Sequence, residues 1–392
     1  MSRIDELIRR YCPDGVEYRP IWSLTAWDKK FNGIDKSKQK KVIKYNYLLA
    51  ADLKSYQVDN GTVKLLTTNV SNLYTTEELA ENLASDGEVV AIPWGGNPIV
   101  QYYKGRFLTA DNRIASSLDT TLLNNKFLYY CMLSQMKLIA SFYRGSGIKH
   151  PEMAKILDLE IPLPPLPVQE EIVRILDNFT NLAAELQAEL QARQQQYNYY
   201  RDNLLSFEGR TDVRWMKLGD VCDLGTGSHN TQDGLSEGQY PFYTRGSEVL
   251  YLNDYDYDET AIITAGDGAG VGKVFHFVQG KYALHQRAYR IVPNEKKVLA
   301  RFVYYYIGAT FYNYIMRNSV SSSVVSIRRP MMVNYPIPVP PIKEQEKVIS
   351  ILDRFDTLVN DLSQGLPAEI EARRQQYEYY RDRLLSFKRK EI

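Results

Sequence analysis

Two stretches of this chain repeat one another, and a repeat at that distance constrains the fold before any single residue does. Residues 161–207 read IPLPPLPVQEEIVRILDNFTNLAAELQAELQARQQQYNYYRDNLLSF. Residues 337–387 read IPVPPIKEQEKVISILDRFDTLVNDLSQGLPAEIEARRQQYEYYRDRLLSF. Each copy is an extended proline-rich lead followed by a helical pattern. Ile172, Ile175, Phe179, Leu182 and Leu186 step by three and four, as do Val348, Ile351, Phe355, Leu358 and Leu362. That spacing is a coiled-coil seam. From Val168 to Phe207 no Pro or Gly intervenes, which predicts one helix of roughly 60 Å at 1.5 Å per residue. The second copy contains Gly365-Leu366-Pro367, and proline disrupts a helix interior, so this arm should kink or divide there. Neither arm can bury its seam alone. The expected solution is an antiparallel coiled coil of the two arms, closing a pseudo-twofold ring of domain, arm, domain, arm. Tyr197 and Tyr200 recur as Tyr377 and Tyr380, and the recurrence favours packing between arms or a partner-docking face over stacking on bases.

The repeats divide the chain. Residues 1–160 form a first domain with a short helix at 2–12, and residues 161–210 a central helical spacer. Residues 211–336 form a second domain, and 337–392 a C-terminal helical spacer. Ser2 and Asp5 have the spacing of a capping box at the start of the short helix. The two domains open alike: Val16, Tyr18, Ile21 and Leu24 match Val213, Trp215, Leu218 and Val221 at constant offset. They also close alike. Strands at 88–92 and 259–264 lead into glycine turns at 94–97 and 266–270, and then into further strands. Lys104-Gly105-Arg106 and Gln279-Gly280-Lys281 are expected to be hairpin turns. Helices follow at Phe127–Tyr130 and Phe302–Tyr305. Short strands, glycine turns and a late helix predict an α+β domain with a curved sheet, present twice.

A hydrophobic content of 44% is that of a globular chain, and the formal charge is only +1. Residues 17–150 carry 17 Lys+Arg against 12 Asp+Glu, and residues 211–336 carry 13 against 12. Charge therefore gives only weak support for a nucleic-acid partner. Cys12, Cys131 and Cys222 have no metal-ligand spacing and fit reduced thiols in a cytoplasm. No signal-peptide pattern and no apolar run of membrane-spanning length occurs. Gly266 to Lys273 resembles a phosphate loop but fails its spacing: Asp267 and Val274 stand where glycine and Ser or Thr are needed. Its setting between two strands predicts a turn. His150, His229, His276 and His285 are scattered, and no metal site is expected. The Asn/Asp-Pro-Pro-Tyr/Phe tetrapeptide of amino-methyltransferases is missing, and the Pro-Pro pairs lie in the linkers. These observations point away from catalysis by this chain.

Nucleic-acid contact has better support. Lys36, Lys38, Lys40 and Lys41 lie in a polar loop suited to phosphate contacts, which position but do not specify. Ser228, His229, Asn230 and Thr231 hold the corresponding place in the second domain. Asn97, Arg144, Lys149, Thr244, Arg245, Gln286 and Arg287 complete the candidates. Gln and Arg are side chains that read A and G in the major groove. For each of these residues an ordinary solvated surface is the competing reading.

The arms resemble those of the specificity subunit of type I DNA restriction–modification systems. The resemblance covers essentially the whole chain. It is carried by Pro164-Pro165…Gln169-Glu170-Glu171-Ile172…Ile175-Leu176-Asp177 and Gln196-Tyr197…Tyr200-Arg201-Asp202, and by their second copies around Gln345, Asp353 and Tyr377 to Asp382. The resemblance implies double-stranded DNA as ligand, with each domain reading half of a bipartite site and the arms setting the gap. It implies two methyltransferase subunits as partners that supply S-adenosylmethionine and methylate adenine N6. Motor/nuclease subunits using ATP and Mg would join for cleavage. No cofactor, no metal and no membrane contact is expected of this chain, which would work in a bacterial or archaeal cytoplasm. The alternatives are the specificity subunit of a combined restriction–methylation enzyme that cuts on both sides of its site, a coiled-coil protein adaptor, and a self-sufficient methyltransferase.

Overall fold

The computed structural model describes residues 2–318, 326–361 and 363–391. It forms two compact units, residues 1–185 with 371–392 and residues 186–370. Each unit therefore owns one sheet domain and a part of both repeats.

The two sheets have the same construction. In the first unit the strands lie in the order Thr25–Trp27, Asn112–Ser117, Ser85–Pro93, Gln101–Thr109, Val63–Leu66 and Tyr74–Thr75. In the second the order is Cys222–Thr226, Ala288–Pro293, Tyr257–Ala265, Phe275–Leu284, Tyr240–Tyr243 and Val249–Leu252. Most pairs are antiparallel, but Val63–Leu66 runs parallel to Gln101–Thr109, and Tyr240–Tyr243 parallel to Phe275–Leu284. Val89–Ile92 and Ala261–Ile263 are continuous buried apolar runs within Ser85–Pro93 and Tyr257–Ala265, as expected where both faces of a strand are covered. The repeated openings also agree: Tyr18–Pro20 pairs with Glu160–Pro162, and Arg214–Lys217 with Pro336–Val339. These small ribbons tie the start of each domain to the lead of the arm that follows it. At the N-terminus Ser2 and Asp5 form the capping box of helix Arg3–Tyr11.

Two expected hairpin turns are not turns. Lys104-Gly105-Arg106 lies inside strand Gln101–Thr109, and Gln279-Gly280-Lys281 inside Phe275–Leu284. Gly105 has φ +129° and Gly280 φ +93°, yet each stays in register opposite Gly87 and Glu259. A glycine that adopts positive φ re-aims a strand without ending it.

The first arm is one helix, Leu166–Leu204. The second divides into Ile342–Asn360 and Leu366–Leu384. A Cβ on Gly365 would stand 2.3 Å from the Thr357 carbonyl oxygen, so the break needs glycine as well as Pro367.

The seam is placed differently from its sequence expectation. Val168, Ile172 and Leu176 are fully buried and share a core with Phe127, Leu128 and Tyr130. In the second unit Val348 and Leu352 join Phe302, Val303 and Tyr305. Ile175 and Ile351 are only half-buried, and Leu358 is 37% exposed beside Val359 at 1%. The predicted steps assumed the other arm as sole partner. A helix that also packs on its own domain buries the face reached by steps of four. Phe179 does meet the other arm, stacking on Tyr380 at 5.4 Å, as Phe355 does on Tyr200 at 5.5 Å. Tyr197 lies 6.3 Å from Phe355, and Tyr377 packs against the first core. Leu182 is half-buried and Leu186 buried; Leu362 lies outside the described residues.

Polar locks accompany this packing. Buried Gln169 donates to the carbonyls of Leu122 and Pro164 and accepts from the Asn124 N–H. Gln345 does the same with Lys297, Pro340 and Leu299. Asp177 accepts from Tyr130 Oη at 2.6 Å and Lys126 Nζ at 2.8 Å. Asp353 accepts from Tyr305 Oη at 2.5 Å and Arg301 Nε at 2.8 Å. In each unit two residues four apart on the domain helix grip one carboxylate of the arm.

Candidate nucleic-acid interface

In the second unit the segment after the first sheet strand folds back on the sheet. Gly227 permits this: a Cβ there would stand 1.8 Å from the Leu284 carbonyl oxygen. The Ser228 N–H donates to that carbonyl at 3.2 Å, and the Gln286 N–H to the His229 carbonyl at 2.9 Å. The result is an open cavity of about 560 Å³ lined by Asn230, Thr231, Gln232, Arg245, His285, Gln286 and Arg287. Residues far apart in sequence thus converge on one concavity. The Gln286 amide donates to Asn230 Oδ1.

One carboxylate organises the cations. Asp267 Oδ1 accepts from Arg245 Nη1 at 2.8 Å and its Oδ2 from Arg287 Nη1 at 3.0 Å. Burial opposes the Asp267 carboxylate, but the two arginine hydrogen bonds outweigh it and hold the carboxyl below its usual range. Asp267 belongs to the glycine loop, which joins strands Tyr257–Ala265 and Phe275–Leu284, as expected of a turn. His285 Nδ1 accepts the Arg287 N–H at 2.9 Å. Burial, and then the positive field of Arg245, push His285 below the ordinary imidazole range. With Nδ1 accepting a hydrogen bond the proton belongs on Nε2, and an NMR titration should place the midpoint below that of an unperturbed imidazole. A folded pKa lowered in this way contributes stability that is complete above the unfolded imidazole pKa and is lost as pH falls through the folded one.

The remaining candidates of this unit stand apart from the cavity lining. Ser228 Oγ donates to Asp256 at 3.1 Å, and His229 Nε2 lies 3.4 Å from the same carboxylate. Thr244 Oγ1 accepts the Gly246 N–H. Asp267 was not anticipated; the one acid in a glycine-rich turn was its only signal.

The first unit has a cavity of about 410 Å³ at the equivalent place in the topology, lined by Asp28, Lys29, Lys44, Tyr45, Tyr47, Leu48, Asp111 and Arg113. Both cavities lie between the segment after the first sheet strand and the turn before the second. Asp28 and Arg113 are buried and lie 3.6 Å apart. Asp28 also accepts from the Ile114 N–H and Tyr47 Oη, each at 3.0 Å. The Arg113 guanidinium lies 4.2 Å over the Trp94 ring, and Lys29 Nζ lies 5.3 Å from it. Sequence reasoning named none of the residues lining this cavity, because Arg113 reads as an ordinary position of a strand. Lys36, Lys40 and Lys41 are exposed, but Lys38 turns inward to Asp158 at 2.6 Å. Arg144 pairs with Glu152 at 3.0 Å. Asn97 and Lys149 are exposed where the Gly96 N–H meets the Lys149 carbonyl.

Among the described residues no His, Cys, Asp or Glu group could hold a metal ion, and no helix is long and apolar enough to cross a membrane. Both cavities are open, the larger one lined by amide- and guanidinium-bearing side chains and the other by lysines, acids and tyrosines.

Comparison with known proteins agrees with the duplicated construction. A family model described as the type I restriction modification DNA specificity domain matches twice, at residues 26–193 and 211–372. The chain is 35% identical to the Escherichia coli type I restriction enzyme EcoR124I/EcoR124II specificity subunit, over 100% of this chain and 98% of that protein. It is 31% identical to a putative type I restriction enzyme specificity subunit of Haemophilus influenzae, over 79% and 86%. In fold it is similar to the crystal structure of a type I restriction–modification S subunit from M. genitalium, with a TM-score of 0.66, 16% identity, and coverage of 95% and 96%. The two matched domains, and a relative aligned over the whole length, place the chain in the type I restriction–modification DNA specificity family, as a specificity subunit with two tandem recognition domains.

Proposed function

We propose that each unit reads one half of an asymmetric bipartite site in double-stranded DNA and that the helical arms set the gap between the halves. The observation that carries this reading is the pair of cavities: same place in the topology, different lining. One offers Arg245, Gln286, Arg287 and Asn230; the other offers Lys29, Lys44 and Tyr47. Different donors and acceptors select different base edges. The exposed loop cations Lys36, Lys40, Lys41 and Lys149 suit phosphate contacts, which set register.

In this reading the arms also dock partners. Tyr199 and Tyr379 occupy matching places in the two repeats and are 66% and 60% exposed. Exposed tyrosines suit protein contacts, since one end is apolar and the other polar. Two methyltransferase subunits would bind there, bringing S-adenosylmethionine for adenine methylation, and motor subunits would bring ATP and Mg for cleavage. The domain limits supporting this assignment are 1–160, 161–210, 211–336 and 337–392, in a cytoplasmic complex.

The test is modification-sensitive long-read sequencing of the host genome with and without this gene. One bipartite, asymmetric adenine-methylation motif should vanish, with one methylated adenine in each half on opposite strands. If every motif persists in the deletion strain, the reading is wrong for this chain. A second expectation concerns the gap. Four helical residues added near Ala188, inside Leu166–Leu204, lengthen that helix by roughly 6 Å. The spacer should grow while both half-sites stay the same. Altered half-sites over an unchanged spacer would remove the arms' role as a ruler.

A further inference from the structure

We infer that Arg287, braced by Asp267 and seconded by Arg245, reads a guanine in the half-site of the second unit. The inference rests on the reading of this chain as the DNA-reading subunit and names one of its specificity-determining residues.

Arg287 and Arg245 each commit Nη1 to Asp267. Among the described residues Nε and Nη2 of both have no hydrogen-bond partner, which leaves each a side-on fork. Arg287 is the more exposed of the two, with 62% of its side chain exposed against 40%, and it lines the cavity together with the rest of the 285–287 turn. That turn is fixed by the bond from the Arg287 N–H to His285 Nδ1. Backbone and guanidinium are therefore both held before any ligand arrives, as a selective contact requires. A fork of this shape fits two acceptors side by side, which guanine presents as O6 and N7 and which a phosphate also presents. The surroundings decide for the base. Asp267 removes one of the two positive charges and would repel a phosphate, while it costs a neutral base edge little. The other lining groups are neutral amides, a hydroxyl and an imidazole, and no lysine is among the described residues that line the cavity.

The test uses the full chain with its methyltransferase partners in a host free of adenine methylation, read by modification-sensitive sequencing. A wild-type complex that yields no bipartite motif would refute the DNA-reading assignment itself, separately from this inference. Given a wild-type motif, Arg287→Ala should leave the first half-site intact and relax one G·C position of the second. Preference for guanine there should fall by roughly 5- to 150-fold. Arg287→Lys keeps the charge but loses the planar fork, and should relax the same position. A uniform loss of methylation with the motif unchanged in both variants would identify a phosphate contact and overturn the inference, as would no change at all. If Arg287→Ala yields no active complex, the wild-type complex is tested on duplexes carrying 7-deazaguanine, which lacks N7, at each guanine of that half. Weakened binding at one position supports the inference, and indifference at every position overturns it.

Discussion

Arg113→Ala is expected to destabilise the first unit by about 3–5 kcal/mol at neutral pH, the cost of stranding a buried charge. The stranded group is Asp28, whose side chain is 1% exposed and whose cationic neighbour is Arg113 at 3.6 Å. The double variant Arg113→Ala/Asp28→Asn should recover much of that loss, because the amide still accepts from the Ile114 N–H but carries no charge. Both variants lose the contact with Trp94, so their difference isolates the charge. The effect has a definite pH dependence. Burial, more than any other influence, pushes the Asp28 carboxyl above its usual range. A raised folded pKa means that the folded state takes the proton first. Losing Arg113 raises it further, so the cost of the single variant is greatest above the variant's carboxyl pKa and shrinks as pH falls from there to the wild-type one. Urea unfolding at several pH values measures this, and equal stability of the single and double variants at neutral pH would show that the pair is not the energetic link.

Leu176→Ala should cost about 2–5 kcal/mol, whereas Ile175→Ala, one position away, should cost about 1 kcal/mol. Leu352 and Ile351 should repeat the contrast in the second unit. Leu176 and Leu352 are 0% exposed in the cores shared with the domain helices, and Ile175 and Ile351 are half-buried. A large side chain removed from a filled core leaves a cavity that its neighbours cannot close. The midpoints of urea unfolding for the four variants decide the matter. The reverse order would restore the simple seam of Ile175 and Ile351 and reject the domain-facing stripe.

The contrast also shows how far the sequence could be read. Helix Leu166–Leu204 and the division of the second arm at Gly365 and Pro367 were legible, because helical spacing and helix breakers act within a few residues. The matched openings at Tyr18 and Trp215, the central strands and the late helices were legible for the same reason. Gly105 and Gly280 misled, since a glycine at positive φ has the same sequence signature in a turn and within a strand. In the second unit Arg245, Gln286, Arg287, Asn230 and Thr231 were legible by residue type. Asp267, which organises them, was hidden in a loop chosen for its glycines. The cavity of the first unit was not legible at all: Asp28, Lys29, Lys44 and Arg113 come from separate strands and loops, and no spacing links them.

By itself the sequence determined the order of elements, the duplication and the places where helices begin and break, all of which follow from local periodicity, capping and backbone freedom. Only the tertiary structure decided which face of each arm is buried and which side chains share a cavity. Those outcomes depend on strand register and on contacts between residues distant along the chain, such as Arg287 with Asp267 and Asp177 with Tyr130. Such contacts bring together groups whose local sequence is equally compatible with an ordinary solvated surface.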